Sequence, residues 1–223
     1  MSMTTVKITI YISILIQLIS TSITWNGMFL TLNKPDVVLQ EILIIENLVQ
    51  TVELLFYIYI YYWDTAPDKM GGLRYIDWVI TTPLMLFTTV LYMEYNNTKD
   101  KGEPIDVRSF LRINKNKLYK IFVNNLFMLL CGYLVEKKII SMYLGISLGF
   151  FFFYQTFMQI HTLVGTNNKN IILFRFLVIV WGMYGFAAIM SDSNKNISYN
   201  LLDIVAKNFY GIYIYYLVRQ VSI

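Results

Sequence analysis

An all-α membrane protein folded as one seven-transmembrane-helix bundle is the class this sequence predicts, and three observations carry the prediction. Only 14% of its 223 residues are charged while 57% are hydrophobic, against roughly 25% charged in an ordinary soluble domain. The apolar residues gather into runs of about twenty or more, the length that crosses a hydrocarbon layer about 30 Å thick. Lipid offers backbone amides no partner, so each run must close its own hydrogen bonds as a helix.

The runs place spans at 5–30, 37–62, 74–95, 117–135, 140–162, 170–191 and 197–219. They use most of residues 1–223, which leaves a single domain with no room for a soluble module and no internal repeat of two transporter halves. The first span lacks the basic start and small-residue cleavage site of a signal peptide, and is expected to remain as the insertion signal. It presents Gln17, Ser20, Thr21 and Thr24 at helical spacing. The second is rich in leucine, isoleucine and valine, yet sets Glu46, Asn47, Gln50, Glu53 and Tyr57 along nearly one stripe. In the third, Pro83 lacks an amide hydrogen and should bend the helix. The fourth contains the only cysteine, Cys131, which excludes an intramolecular disulfide and reads as a small packing residue. Phe151, Phe152, Phe153 and Tyr154 in the fifth are an aromatic run that fits a membrane helix better than a strand.

A net charge of +4 suggests nucleic acid until its placement is considered. Lys99, Lys101, Arg108, Arg112, Lys115, Lys117 and Lys120 cluster around the connection between the third and fourth spans, and Lys169, Arg175 and Arg219 share their side if the spans alternate. Asp64, Asp68, Lys69, Glu136, Lys137, Lys138, Asp192 and Lys195 on the opposite side nearly balance. The positive-inside bias then puts the N-terminus outside and the C-terminus in the cytoplasm. The expected partner is membrane lipid, not nucleic acid, in a multi-pass protein of a cell or host membrane; homo-oligomer formation is left open. The longest connection, 96–116, holds Asn96, Asn97, Thr98, Gly102 and Pro104 and is expected to be the mobile one. Its Asn-Asn-Thr sequon, on the cytoplasmic side, should be unglycosylated.

Ionisable groups in the membrane core cost about 2.5–3.5 kcal/mol even on a lenient scale and therefore mark function. Asp203 and Lys207 lie one turn apart in the seventh span, and Arg74, Asp77 and Thr81 share one face of the third. An amine joined to an aldehyde as a Schiff base stays protonated in a dry site only beside countercharge. Asp77 and Asp203 can supply it, Arg74 can keep both carboxylates ionised, and the Thr81 hydroxyl can bond Asp77.

Arg74-Tyr75, Asp77-Trp78 and Thr81-Thr82-Pro83-Leu84, with Leu202-Asp203 and Ala206-Lys207, closely resemble the corresponding helices of microbial rhodopsins, the bacteriorhodopsin family. The resemblance implies all-trans retinal bound covalently to Lys207 as a protonated Schiff base. It makes Asp77 the primary counterion and proton acceptor, Asp203 the second counterion, and Arg74 the release-side arginine. It also implies a retinal pocket of Trp78, Thr82, Met85, Asn125, Met128, Gly132, Ser147, Phe151, Trp181 and Tyr184. Gly185 and Ala188 stand where many relatives have proline and an aromatic residue, and both are expected to open space beside the chromophore.

Three activities fit this frame. Thr88 occupies the proton-donor position of the family's pumps and cannot act as an acid near neutral pH, which argues for a weak pump. The buried stripe of Glu46, Gln50 and Glu53, with Gln17 and Asn208, suggests a hydrated ion pathway. The glutamates and the Lys207-Asn208 pair further resemble the rhodopsins of giant algal viruses, one group of which are light-gated cation channels. The sequence thus favours a light-gated cation channel, with an outward proton pump or a sensor acting through a partner as alternatives. No enzyme, catalytic set or metal site is expected.

Overall fold

The computed structural model describes residues 3–99, 102 and 104–223. Lys101 of the basic connection lies outside them. The helices are α1 (Met3–Gly27), α2 (Val37–Tyr62), α3 (Pro67–Thr98), the short α4 (Val107–Ile113), α5 (Lys115–Glu136), α6 (Met142–Val164), α7 (Asn168–Ala187) and α8 (Asp192–Asp203). The last continues through a π-helical segment, Ile204–Phe209, into α9 (Tyr210–Gln220), so that these three make one rod.

Local chemistry explains where the helices depart from the expected spans. Pro67 starts α3 in its first turn, where a missing amide hydrogen costs nothing, and Asp68 beside it suits the helix N-terminus. The helix therefore begins seven residues before the expected 74 and takes in Gly71 and Gly72, poor helix formers that sequence reasoning assigns to a loop. Packing outweighs that propensity, because a side chain at Gly71 would overlap the Glu136 carboxyl of α5. α1 stops at Gly27 instead of 30, and α7 at Ala187 instead of 191. The connection expected to be irregular over 96–116 is largely helical: α3 runs on to Thr98, and α4 follows from a cap at Asp106. The Asp106 carboxylate accepts from the Arg108 amide (3.0 Å) and the Ser109 hydroxyl (2.6 Å), and these bonds hold its acid below the usual range.

Packing runs α1 to α2 to α3 to α5 to α6 to α7 to the α8–α9 rod and back to α1, a closed ring in which α3 also reaches α6, α7 and α8. Its polarity is inside out. On α1, Ser13, Gln17, Ser20 and Thr24 are buried, while Ile8, Leu15 and Ile19 face outward. Such a surface suits lipid, not water. Among the described residues, five helices are long and apolar enough to cross a membrane.

Candidate functional site

The π segment widens the rod where it carries Lys207, an irregularity that often accompanies function. The Lys207 side chain is buried, and its Nζ lies 2.6 Å from Asp77 Oδ2, 3.5 Å from Glu53 Oε1 and 3.8 Å from Asp203 Oδ1. Asp203 is the best-supported carboxylate of the three. It accepts from Arg74 Nη1 (3.1 Å), the Tyr57 hydroxyl (2.8 Å) and the Tyr184 hydroxyl (2.8 Å). Arg74 is anchored further by Asn196 (3.2 Å), Asn200 and Tyr57 (3.2 Å).

Arg74 hydrogen-bonds Asp203 and not Asp77, because its guanidinium is turned toward Asn196 and Asn200 of α8. The expectation for Thr81 needs correction. Thr81 donates to the backbone carbonyl of Asp77 (3.0 Å), the usual bond of a helical threonine to the preceding turn, and not to the carboxylate. Asp77 Oδ1 consequently has no protein donor.

Lys207 also lines an apolar cavity enclosed by α3, α5, α6, α7 and the α8–α9 rod, the concave, mostly apolar kind of site that takes small molecules. Trp78, Thr82, Met85, Met128, Gly132, Trp181 and Tyr184, all expected here, line it. Thr82 is oriented by donating to the Trp78 carbonyl (2.7 Å) and accepting from Asn125 (2.8 Å). An amine at one wall and aromatic rings around an apolar volume fit retinal, a long apolar polyene ending in an aldehyde. Four expected positions do not line the cavity, among them Asn125, which reaches it only through its bond to Thr82. Thr81 is buried away from it, and Ser147 and Phe151 lie on the outer face of α6. Ile146, Phe150 and Phe153 take that wall instead. The error is one of register: a shift of one residue turns a side chain by about 100° around a helix of 3.6 residues per turn. Gly185 and Ala188 both border the cavity, and at Gly185 the Phe150 ring of the same wall comes so close that an added Cβ would meet it at 2.6 Å.

On the other side of Lys207 runs a polar column. Gln17, Glu46, Gln50, Glu53 and Asn208 are all buried. Thr88 donates to the Glu46 carboxylate, Thr24 to Asn47 (2.5 Å), and Asn208 to Ser20 (2.8 Å), while Gln50 occupies the space that a side chain at Gly211 would need. Among the described residues, the side-chain polar atoms of Gln17, Gln50 and Glu53 have no hydrogen-bond partner, although Glu53 lies in ionic reach of Lys207. The closeness of Glu53 to Lys207 and of Tyr57 to Asp203 escaped sequence reasoning. The shared stripe of Glu53 and Tyr57 was visible, but its height against the α8–α9 rod was not. Lys195, read as a loop charge, is buried between Glu136 (2.6 Å) and Asp192 (3.0 Å).

A family model described as bacteriorhodopsin-like protein matches residues 4–221. Among solved structures, the viral rhodopsin OLPVRII is similar at 26% identity and a TM-score of 0.85, over 98% of this chain and 99% of that one. The blue light-absorbing proteorhodopsin from Med12 is similar at 20% identity and a TM-score of 0.75, over 96% and 97%. The light-driven proton pump LR (Mac) from Leptosphaeria maculans is similar at 14% identity and a TM-score of 0.72, over 97% and 96%. These last two likenesses bear on fold alone. No curated protein sequence matches the chain.

Proposed function

The chain belongs to the bacteriorhodopsin-like family, and from that premise we propose that it is a light-driven proton translocator whose retinal is carried on Lys207. That it is a retinal-binding, light-sensing member of the family, a multi-pass membrane protein and not an enzyme follows from family and fold. The finer reading takes residues 1–223 as one domain with seven rods crossing the membrane. Its N-terminus is outside, because the basic ends of α3, α5, α7 and α9 share a side.

One observation carries the pump reading: carboxyl groups stand on both sides of Lys207 along the bundle. Asp77 is at 2.6 Å, and Glu46 sits two turns, about 10.5 Å, along α2 from Glu53, bonded by Thr88. The inability of Thr88 to act as an acid therefore no longer counts against pumping, since α2 supplies the acid to the same place. Bound retinal contributes a light-driven change of shape that alters how firmly Nζ holds its proton. Asp77 Oδ2 is placed to take that proton, and its unpartnered Oδ1 leaves the carboxylate free to do so. Arg74, Tyr57 and Tyr184 hold Asp203 in position. Glu46 is placed to return a proton from the opposite side.

The channel favoured by the sequence is the second reading. The side chains of Gln17, Gln50 and Glu53, without hydrogen-bond partners among the described residues, support it, because buried polar groups of that kind suit a path for water and ions. Voltage-clamp recording under light separates the two. Outward current at every voltage and gradient supports the pump; current that reverses with the imposed cation gradient rejects it for the channel.

A further inference from the structure

We propose that Glu53 is a third carboxyl of the Lys207 site and that, with retinal bound, it carries a proton as a neutral carboxylic acid. The inference rests on the retinal reading above but not on the choice between pump and channel.

Hydrogen-bond donors are scarce at this site. Asp77, Glu53 and Asp203 approach one Nζ at 2.6, 3.5 and 3.8 Å, and a free ammonium has three N–H groups to direct at them. Condensation with an aldehyde expels the carbonyl oxygen as water together with two amine hydrogens. The nitrogen, once protonated, then keeps a single N–H. The shortest contact assigns that hydrogen to Asp77. Asp203 loses little, since Arg74, Tyr57 and Tyr184 still donate to it. Glu53 is left without a donor: it is fully buried, and neither carboxyl oxygen has a hydrogen-bond partner.

A count of charges gives the same answer. Nζ and Arg74 supply two positive charges, and Asp77 and Asp203 neutralise them. An ionised Glu53 would be a third buried anion with no cation of its own, and an uncompensated buried charge costs several kcal/mol. Taking a proton from solvent removes that cost and gives Glu53 a hydrogen to donate. The titratable groups that face it are Asp77 on α3, Asp203 on α8 and Lys207 on the π segment, with Tyr57 on α2 and Tyr184 on α7 beside them.

The test is infrared spectroscopy of the retinal-bound protein in the dark, in a Glu46→Gln background that removes the other buried glutamate of α2. A carboxylic C=O band should be present, should move with ¹³C-glutamate labelling, and should be lost in Glu53→Gln. Glu53→Asp should restore a carboxylic band that no longer responds to the glutamate label. In the visible spectrum Glu53→Gln, which exchanges one neutral group for another, should shift the maximum far less than Asp77→Asn, which removes an anion. The proposal is overturned if no glutamate carboxylic band exists in that background, or if Glu53→Gln shifts absorption to longer wavelength as far as Asp77→Asn does. Failure of the wild type to form any visible pigment would sink the retinal reading first and this inference with it.

Discussion

Arg74 and Asp203 form a fully buried ion pair at 3.1 Å, and that pairing separates the two aspartates that flank Lys207. Asp203 has three donors besides the lysine, whereas Asp77 depends on Lys207 and has a free oxygen. A carboxylate held by fixed donors resists protonation, and one that leans on a single movable partner is the better acceptor. Breaking the Arg74–Asp203 pair from one side should be costly, about 3–5 kcal/mol by the usual penalty for a stranded buried charge. Thermal bleaching of Arg74→Gln in membranes should show a marked loss of pigment stability. Near wild-type stability would mean that the tyrosines alone hold Asp203.

Asp77→Asn should shift absorption to longer wavelength and let the Lys207 nitrogen lose its proton at lower pH, because the close anion at 2.6 Å is gone. Spectroscopic pH titration reads both effects. Should neither change, Asp203 or Glu53 holds the counterion role.

Lys207→Ala should abolish the visible band after incubation with retinal while the apoprotein still reaches the membrane. The cavity remains in that variant, so retinal could be retained noncovalently, but borohydride should then fix none of it. A normal pigment fixed by borohydride would move the attachment to another residue.

What the sequence made legible follows from what a helix reports about itself. The Asp203–Lys207 turn, the Arg74–Asp77–Thr81 face and the polar stripe of α2 are relations within one helix, and the structure keeps each on a buried face. Relations between helices depend on rotation and height, which no single span encodes. Ser147 and Phe151 failed by a rotation of one residue on α6, and Glu53 was placed on a path instead of beside Nζ for want of its height against Lys207. The start of α3 was hidden for a different reason, since Gly71, one of the two glycines that lower helix propensity there, makes room for Glu136.

The cap of α4 supplies a pH prediction outside the membrane. Bonds from Ser109 and Arg108 lower the pKa of Asp106 in the folded state, relative to about 3.9 when unfolded. A depressed folded value means that the cap's stabilisation is fully present above about pH 4 and is lost as pH falls through the lowered folded value. Protection of the α4 amides, measured as exchange relative to the intrinsic rate at each pH, should therefore fall on acidification in the wild type. In Asp106→Ala it should be low throughout and nearly indifferent to pH, and an unchanged acid response in that variant would assign the effect to another group.

Glu46 offers the sharpest test of direction. Its carboxylate receives the Thr88 hydroxyl on the side of Lys207 away from Arg74, so a proton held there can return to the nitrogen only after Asp77 has taken the first. General acid catalysis by a placed carboxyl is worth on the order of 10²–10⁴-fold. Glu46→Gln, which keeps the shape and can still accept from Thr88, should slow recovery of the dark pigment by at least the lower figure and reduce steady light-driven current in proportion. Its initial bleaching step should be unaffected, since Asp77 is untouched. Thr88→Val should give a milder slowing, because it leaves the acid in place without its partner. A channel would behave otherwise: the conductance or ion selectivity of Glu46→Gln would change while recovery kept its wild-type rate. That second pattern would abandon the pump and return Glu46 to the wall of an ion path.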